Sequence, residues 1–143
     1  MAQLQVTIVE AINLKKKDLF SESDPFVQIY LDNKNNKYTT KVKHNTKNPH
    51  WNETFVLNVL NGQDILFVDV CDKDTIRHDK IGSLEIDLRD LFVKCIFFYI
   101  QKKPNIYLFF LDNSDKWYDL PATYGKSSHG KIHLVLEYQP LII

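Results

Sequence analysis

The stretch ILFVDVCDKDTIRHDKIG, residues 65 to 82, decides the fold of this chain. Its opening residues alternate, with every second side chain apolar, and a period of two predicts a half-buried strand. Asp72, Asp74 and Asp79 then follow within eight positions. Carboxylates packed so closely repel one another, so the loop after this strand needs solvent or a cation to neutralise it.

The remainder of the chain is a series of short segments with the composition of strands. In the first of them, Leu4, Val6 and Ile8 lie on one face because they are two residues apart. No long stretch has a helical period, although IDLRDLF is compatible with a single helical turn. Short strands at regular spacing predict an all-β, antiparallel β-sandwich. The predicted strands are LQVTIVE, PFVQIYL, KYTTKVK, ETFVLNV, ILFVDV and KIHLVLEY, and turn formers such as SESDP, NTKNP and NGQD separate them.

Length and charge narrow the class of protein. A chain of 143 residues suits one domain, and a formal net charge of +0 excludes the global positive field that attracts nucleic acid. The two cysteines, Cys71 and Cys95, fit neither metal nor redox spacing, and MAQLQVTIVE lacks the basic and apolar regions of a secretory signal. These features predict a reduced, cytoplasmic protein.

One segment does not fit the pattern of short amphipathic strands. Residues 93 to 113, VKCIFFYIQKKPNIYLFFLDN, form the most apolar part of the chain. A membrane span needs about 20 unbroken apolar residues, and Lys102, Lys103 and Pro104 interrupt this segment in its middle. Its halves, CIFFYI and IYLFFL, are compatible with an extra hairpin or with a surface loop that exposes aromatic side chains.

The acidic loop is compatible with several kinds of chemistry. Its D-x-D start is shared with EF-hand loops, but the sixth position is Arg77 instead of Gly and the twelfth is Ser83 instead of Glu. The sequence contains no nucleophile elbow, zinc-protease motif, P-loop or aspartic-protease element. For an isolated D-x-D, a solvated acidic turn is the simplest interpretation.

A second acidic loop changes that interpretation. Asp18 and Asp24 bracket the loop in LKKKDLFSESDPFVQIYL, which leads into a strand. If both loops lie at one end of a sandwich, their carboxylates face one small volume, and each like-charged pair at about 4 Å costs roughly 4 kcal/mol at an effective dielectric near 20. Ca²⁺ reverses the sign of that term. Its flexible shell of about 6 to 8 oxygen ligands suits bridging carboxylates better than the strict octahedron of Mg²⁺ does.

The combination of motifs resembles a C2 domain, the Ca²⁺- and phospholipid-binding module of protein kinase C and synaptotagmin. Four segments carry the resemblance: LQVTIVEAINL with its loop to SDPFVQIYL, TKVKHNTKNPHWNETF, VDVCDKDTIRHDKIGSLEIDL, and WYDL with HGKIHLVLEY. They leave out roughly residues 93 to 114, which we interpret as an atypical apolar insertion in a domain of residues 1–140. Because KIHLVLEY comes last, the order of the eight strands resembles the circularly permuted type II arrangement.

The resemblance implies a metal site at the two acidic loops. Bound Ca²⁺ would turn a negative loop tip into one that attracts anionic phospholipid, over a range set by a Debye length of about 8 Å. In the family, the backbone carbonyl between the paired aspartates also binds the ion, which corresponds to Lys73. The acidic ligand positions correspond to Asp18, Asp24, Asp72, Asp74 and Asp79.

The residues between the ligands imply contact with the membrane. Phe20 in the first loop and Ile76 in the second would enter the lipid interface, and Arg77 would meet headgroups. For Phe20, the alternative is a cover over the core.

The lysine-rich segment predicts a second surface. In KYTTKVK, Lys37, Lys41 and Lys43 share one face because side chains of a strand alternate. In some family members the corresponding strand binds phosphoinositide headgroups, and each lysine near an anionic surface contributes about 1 kcal/mol. The alternative is a solvated face. In the segment that follows, Pro49 and Trp51 are expected to fix the turn.

Two functions from different classes follow from these patterns. One is Ca²⁺-dependent, peripheral binding to anionic phospholipid membranes. The other is a Ca²⁺-independent adaptor that binds phosphoinositide or a protein partner through the lysine-rich strand. Retention of all five acidic positions favours the first. The sequence predicts no enzyme, because no second domain is present to carry catalytic groups, and no nucleic-acid partner.

Overall fold

A computed structural model describes residues 2–15, 22–32, 34–73, 78–94, 112–121 and 129–140 of the chain. This part of the chain forms eight strands in two antiparallel sheets of four. A short helical segment, α1, covers residues 89–94. The strands are β1 (Ala2–Ile12), β2 (Pro25–Tyr30), β3 (Tyr38–Thr39), β4 (His50–Val59), β5 (Ile65–Lys73), β6 (His78–Asp87), β7 (Asp112–Asp119) and β8 (Lys131–Gln139).

The sheets pack face to face, as the alternating strands predict. The first sheet has the order β4-β1-β8-β7 and the second has the order β3-β2-β5-β6. The last strand, β8, pairs with β1 along most of its length, from Gln3 opposite Gln139 to Ile12 opposite Lys131. The predicted eight-stranded sandwich and its permuted strand order are therefore confirmed.

The core lies between the sheets and is formed mainly by alternate residues of β1, β2, β4, β5, β6 and β8. Leu4, Val6 and Ile8 of β1 are fully buried, as their spacing predicts. In β5, the inward positions are taken by Leu66 and Val68, with Val70 one step further toward the acidic loop. Burial of one such side chain stabilises the fold by about 1.5–3 kcal/mol, so the alternation by itself accounts for how the strands are oriented.

The predicted strand KYTTKVK is wrong in its extent, because only Tyr38–Thr39 form β3. The Thr40 N–H donates to the carbonyl of Val27, and the Lys43 N–H donates to the carbonyl of Pro25. Three steps along this segment therefore match two steps along β2. The extra residue interrupts the period of two, and the face that Lys37 and Thr39 share does not continue regularly to Lys43.

Further irregularities lie toward the same end of the sandwich. The pairing of β1 with both neighbours shifts between Ile8 and Glu10, and the pairing of β5 with β6 shifts between Val70 and Cys71. In β4, Asn52 has a φ of 51°, which a non-glycine residue adopts mainly at a bulge or a turn. Bulges twist a strand and re-aim its side chains, so this end of the sandwich is shaped differently from a regular sheet.

The glycine before β8 is required by a close approach of two chain segments. Gly130 has a φ of +116°, and a Cβ atom there would lie 2.7 Å from the carbonyl oxygen of Ile12. Its own carbonyl accepts a hydrogen bond from the Leu120 N–H. Any larger residue would push β8 away from the end of β1.

The apolar segment, residues 93 to 113, begins in the last turn of α1. Asp87 caps the other end of this helix. The Asp87 carboxylate accepts the Arg89 backbone N–H at 3.0 Å and also binds the Arg89 side chain. The hydrogen bonds from the Arg89 side chain, and to a smaller extent the one from its backbone N–H, lower the pKa of Asp87 to about 2. The helix places Phe92 against Tyr138 of β8, with ring centroids 4.5 Å apart.

The proposed insertion is only partly described by the structure. Residues 95–111 lie outside the described residues, whereas Asp112 to Ser114 begin β7 and pair with β8. The boundary near residue 114 therefore moves back to residue 111. That the remaining segment is an insertion stays a prediction.

Deletion of residues 95–111 tests the insertion. We expect that a short Gly-Ser linker in their place leaves a cooperatively folding sandwich, because both Phe92 and the full length of β7 are retained. Changes in loop length cost little, about 0.6 kcal/mol per doubling. Thermal unfolding followed by circular dichroism measures the effect. The matched control removes residues 93–114, which takes three residues from β7 and should lower the midpoint. Loss of the cooperative transition in the shorter deletion would show that the segment belongs to the core.

Candidate functional site

The two strands that flank the second acidic loop bring two carboxylates directly opposite each other. Asp72 of β5 is the register partner of Asp79 of β6. Asp72 continues the inward alternation of Val68 and Val70, so its side chain points toward the gap between the sheets at their open end. Both aspartates are half-buried. This pair is the centre of the candidate site.

The first acidic loop is attached to this pair through the backbone of Asp24. The Asp24 N–H donates to Asp72 Oδ1 at 2.8 Å, and the Lys73 N–H donates to the Asp24 carbonyl at 2.9 Å. Pro25, at the start of β2, is the register partner of Asp72. The described ends of two loops that are distant in sequence therefore meet at one point.

A third segment, which sequence reasoning missed, surrounds Asp24. The Asn45 N–H donates to Asp24 Oδ1 at 2.6 Å, and the His44 Nδ1 atom lies 3.9 Å from Asp24 Oδ2. The Asn45 side chain also accepts the Glu22 N–H at 3.0 Å. Asn45 has a φ of 50°, which asparagine tolerates better than most residues. The available signal was the NTKN cluster, which reads only as a turn.

The buried face of this contact contains one unsatisfied hydroxyl. The Ser23 Oγ atom is buried and has no hydrogen-bond partner among the described residues. Its carbonyl accepts the Thr46 N–H, so the backbone on both sides of Asp24 is held by the segment that contains Asn45.

The structure describes only some of the predicted site residues. Asp24, Asp72 and Asp79 are described and lie at the same end of the second sheet. Among the described residues, no three His, Cys, Asp or Glu side chains form a group that could hold a metal ion. The carboxylate donors present are hard oxygens of the kind that Ca²⁺ prefers, and a complete shell requires further ligands. Outside the described residues lie Asp18, Phe20, Asp74, Ile76 and Arg77.

The predicted lysine surface lies along the edge of the second sheet. Lys37 is held above its outer face, where its Nζ donates to Gln28 Oε1 at 3.4 Å and lies 5.8 Å from the ring centroid of Tyr30. Lys41 is anchored by its backbone. Its N–H donates to Glu53 Oε2, and its carbonyl accepts the indole N–H of Trp51 at 3.0 Å.

The anchoring role expected for Trp51 is thus a contact between the sheets. Its indole is 6% exposed and belongs to the core, and its one polar atom fixes the backbone of Lys41. Pro49, just before β4, is tied to the first sheet, because its carbonyl accepts the Ala11 N–H of β1. The lysine-rich segment is therefore held on one side by β2 and on the other by the first sheet.

The outer face of the second sheet contains buried ionisable groups that sequence reasoning did not single out. Asp69 is 4% exposed, and Tyr30 stacks on Phe67 with centroids 5.1 Å apart. Burial, and then the nearby Asp69 carboxylate, raise the pKa of Tyr30. The same two causes raise the pKa of the Cys71 thiol to about 11, so this cysteine is protonated and unreactive at neutral pH.

The comparison with protein families agrees with this geometry. The model of the C2 domain matches residues 2–104. The chain belongs to the C2 domain family. Synaptotagmin-7 of Homo sapiens is 36% identical over 144 residues, which cover 96% of this chain and 32% of the relative. Synaptotagmin-2 of Arabidopsis thaliana is 42% identical over 91 residues, which cover 62% of this chain and 17% of the relative. This C2 chain thus spans about a third or less of these relatives.

Solved C2 structures share the architecture. The C2A domain of plant extended synaptotagmin 1 superposes with a TM-score of 0.76 at 28% identity, covering 99% of this chain and 97% of that one. The C2A and C2B domains of extended synaptotagmin 2, solved with calcium bound, give a TM-score of 0.71 at 27% identity and cover 96% of this chain and 45% of that one. Within the described ranges of this C2 domain, no helix is long and apolar enough to cross a bilayer.

The role of Asn45 is testable by substitution. We expect Asn45→Ala to destabilise the domain by about 1–2 kcal/mol, because alanine at a φ of 50° is strained and the acceptor for Glu22 is lost. Asn45→Gly relieves the strain but also lacks the side chain, so its loss should be smaller. Urea unfolding measures both. Equal losses in the two variants would show that the backbone conformation at Asn45 is not what matters.

Proposed function

We propose that this C2 domain binds anionic phospholipid membranes in a Ca²⁺-dependent manner through its two acidic loops. The observation that carries the proposal is the attachment of the first loop to the second, in which the Asp24 N–H binds Asp72 Oδ1 at 2.8 Å beside the Asp72–Asp79 pair. Like charges are held together there by the backbone rather than dispersed. An arrangement that costs energy without a cation is expected where a cation binds.

The acidic residues would act as the ligands of Ca²⁺. The ion supplies positive charge at the loop tip and an attraction for lipid phosphate or carboxylate. The backbone contacts of Asp24 and Asn45 hold one carboxylate in position, and the pairing of β5 with β6 holds two more. The ligands in this proposal are Asp18, Asp24, Asp72, Asp74 and Asp79.

The membrane contacts in this proposal are assigned from the sequence of the loops. Phe20 and Ile76 lie between the ligands in sequence and would insert into the lipid interface, while Arg77 would bind headgroups. In this proposal the domain is cytoplasmic, is recruited to membranes when Ca²⁺ rises, and acts as a binding module without catalysis.

A second candidate function is favoured by the position of Lys37. Its ammonium group is held over the outer face of the second sheet by Gln28 and the ring of Tyr30, whereas Asp72 continues the inward alternation of β5. Together with Lys41 and Lys43, it would bind phosphoinositide headgroups without Ca²⁺. The two surfaces can serve one membrane or act separately, and the experiments below distinguish them.

Substitution of Asp72 tests the metal site. Asp72→Asn keeps the shape of the side chain and an acceptor for the Asp24 N–H while it removes one negative charge. We expect Ca²⁺-dependent binding to phosphatidylserine vesicles to be lost and Ca²⁺-free stability to hold or rise, because repulsion falls. Calorimetric Ca²⁺ titration and vesicle sedimentation measure the two effects. Asp90→Asn, an exposed acid on α1, is the control and should change neither. Unchanged Ca²⁺ affinity in Asp72→Asn would contradict the site.

A double substitution tests the lysine surface. Lys41→Ala with Lys43→Ala should weaken binding to phosphoinositide vesicles in the presence of a Ca²⁺ chelator by roughly 2 kcal/mol. Ca²⁺ affinity measured without lipid should be nearly unchanged. The matched control is Lys116→Ala with Lys131→Ala, which removes the same charge from the first sheet. If both double variants bind equally well, the lysine surface is only a solvated face.

A further inference from the structure

The outer face of the second sheet contains a polar and charged network that crosses from β2 through β5 to β6. Gln28 of β2 is the register partner of Asp69 of β5, and Asp69 is the partner of Ser83 of β6. These positions alternate with the core-facing residues of their strands, so they point away from the other sheet. Lys80 of β6 also belongs to the network, and the sequence pattern did not indicate this role.

Asp69 holds Lys80 in place. Its Oδ1 accepts the Ser83 hydroxyl at 2.7 Å, and its Oδ2 lies 3.5 Å from Lys80 Nζ. The Asp69 side chain is 6% exposed, whereas that of Lys80 is 56% exposed. A buried carboxylate without a partner is costly, so Asp69 keeps the ammonium group of Lys80 close while leaving much of it open to solvent.

Lys37 approaches the same region from the opposite edge of the sheet. Its Nζ donates to Gln28 Oε1, and Gln28 lies directly across from Asp69. Residues so paired have Cβ atoms about 5 Å apart. The ammonium groups of Lys37 and Lys80 thus each contact one of two residues that are paired across β2 and β5.

We propose that Lys80, positioned by Asp69, is a second cationic anchor beside Lys37 on the outer face of the second sheet, and that this face binds an inositol headgroup with at least two phosphates. The proposal rests on the second candidate function and adds two residues, Lys80 and Asp69, to its binding surface. Lys80 touches the ligand, and Asp69 acts through Lys80 as a positioning residue.

Charge and geometry select this ligand class. A phosphomonoester carries about −1.5 to −2 charges at neutral pH, so two of them suit the ammonium groups of Lys37 and Lys80 together with those of Lys41 and Lys43 in the adjoining segment. The negative Asp69 under the middle of the face disfavours a single anion centred there. A headgroup with phosphates on separate carbons of one ring can place each phosphate beside a different ammonium group, so that no single anion is centred over Asp69. Scattered serine headgroups gain little from anchors fixed at one spacing.

The role of Asp69 can be tested because two explanations predict opposite changes in phosphoinositide binding. If Asp69 only lowers the positive potential of the face, then Asp69→Asn should strengthen binding to vesicles that contain phosphatidylinositol 4,5-bisphosphate. If it positions Lys80, the same substitution should weaken binding about threefold to fivefold, and it should not weaken binding further in a Lys80→Gln background. Glu85→Gln is the control, because it removes an exposed acid from β6, the strand that contains Lys80. It should strengthen binding slightly.

The role of Lys80 has a matched control on the other sheet. Lys131 is 54% exposed and lies 3.7 Å from Asp119, but that acid is itself 70% exposed. Lys80→Gln should weaken phosphoinositide binding about fivefold, whereas Lys131→Gln should change it less than twofold. Lys80→Arg should restore most of the affinity. Binding to phosphatidylserine vesicles of equal charge should change little in any of these variants.

The experiment uses the full chain with a Ca²⁺ chelator, and it separates the membrane from the free headgroup. Vesicle sedimentation measures the lipid, and calorimetry with soluble inositol 1,4,5-trisphosphate measures the headgroup. A Lys80 effect in both arms supports recognition of the headgroup itself, and an effect in the vesicle arm alone supports an anchor that needs the membrane surface. Ser83→Ala loosens Asp69 without a change of charge, and it replaces Asp69→Asn if that variant loses cooperative unfolding.

The outcomes distinguish the inference from the function on which it rests. If the parent chain fails to bind phosphoinositide vesicles, the second candidate function and this inference both fall. If the parent binds and the Lys41 and Lys43 double variant is weakened while Lys80→Gln is not, only the inference falls. Stronger binding by Asp69→Asn would overturn its positioning role.

Discussion

The one-residue shift between β5 and β6 determines which side chains each face of the sandwich presents. Up to Val70 and Gly82 the pairing is regular, and beyond it Cys71 faces Lys80 and Asp72 faces Asp79. With regular pairing, Lys80 would lie opposite Asp72 on the inward side. The extra residue, Ile81, is buried and adds an apolar side chain to the core. The same bulge reverses the side of the sheet to which Lys80 and Asp79 point. One bulge thus gives the open end a pair of carboxylates and gives the outer face a cation.

The acidic end is organised by backbone groups more than by side chains. The N–H groups of Asp24, Asn45 and Lys73 make the contacts that bring the loops together. Backbone donors are fixed by the pairing of β2 with β5 and do not depend on a particular rotamer, so they hold the carboxylates before any ion is present. In our proposal this preorganisation lowers the cost of assembling a Ca²⁺ site from two distant loops.

The basic region depends on a different set of contacts. Lys37 and Lys80 are held by Gln28, Tyr30 and Asp69 on the outer face of the second sheet, whereas Asp72 continues the inward alternation of β5. Because the two regions lie on different faces, substitutions in one are expected to act independently of those in the other. A chain with no net charge can therefore present a negative end and a positive flank at the same time.

The sequence by itself determined the sandwich, the approximate positions of most of its strands and the positions of the acidic residues. A period of two is a local property of the sequence, and it indicates which side of a strand is buried. Leu4, Val6 and Ile8, which are two residues apart and fully buried, show this. Tertiary structure alone decided the roles of Asn45 and Lys80 and the short extent of β3. Each of these depends on a bulge or on a partner far away in the chain, and a single added residue reverses the direction of every side chain beyond it.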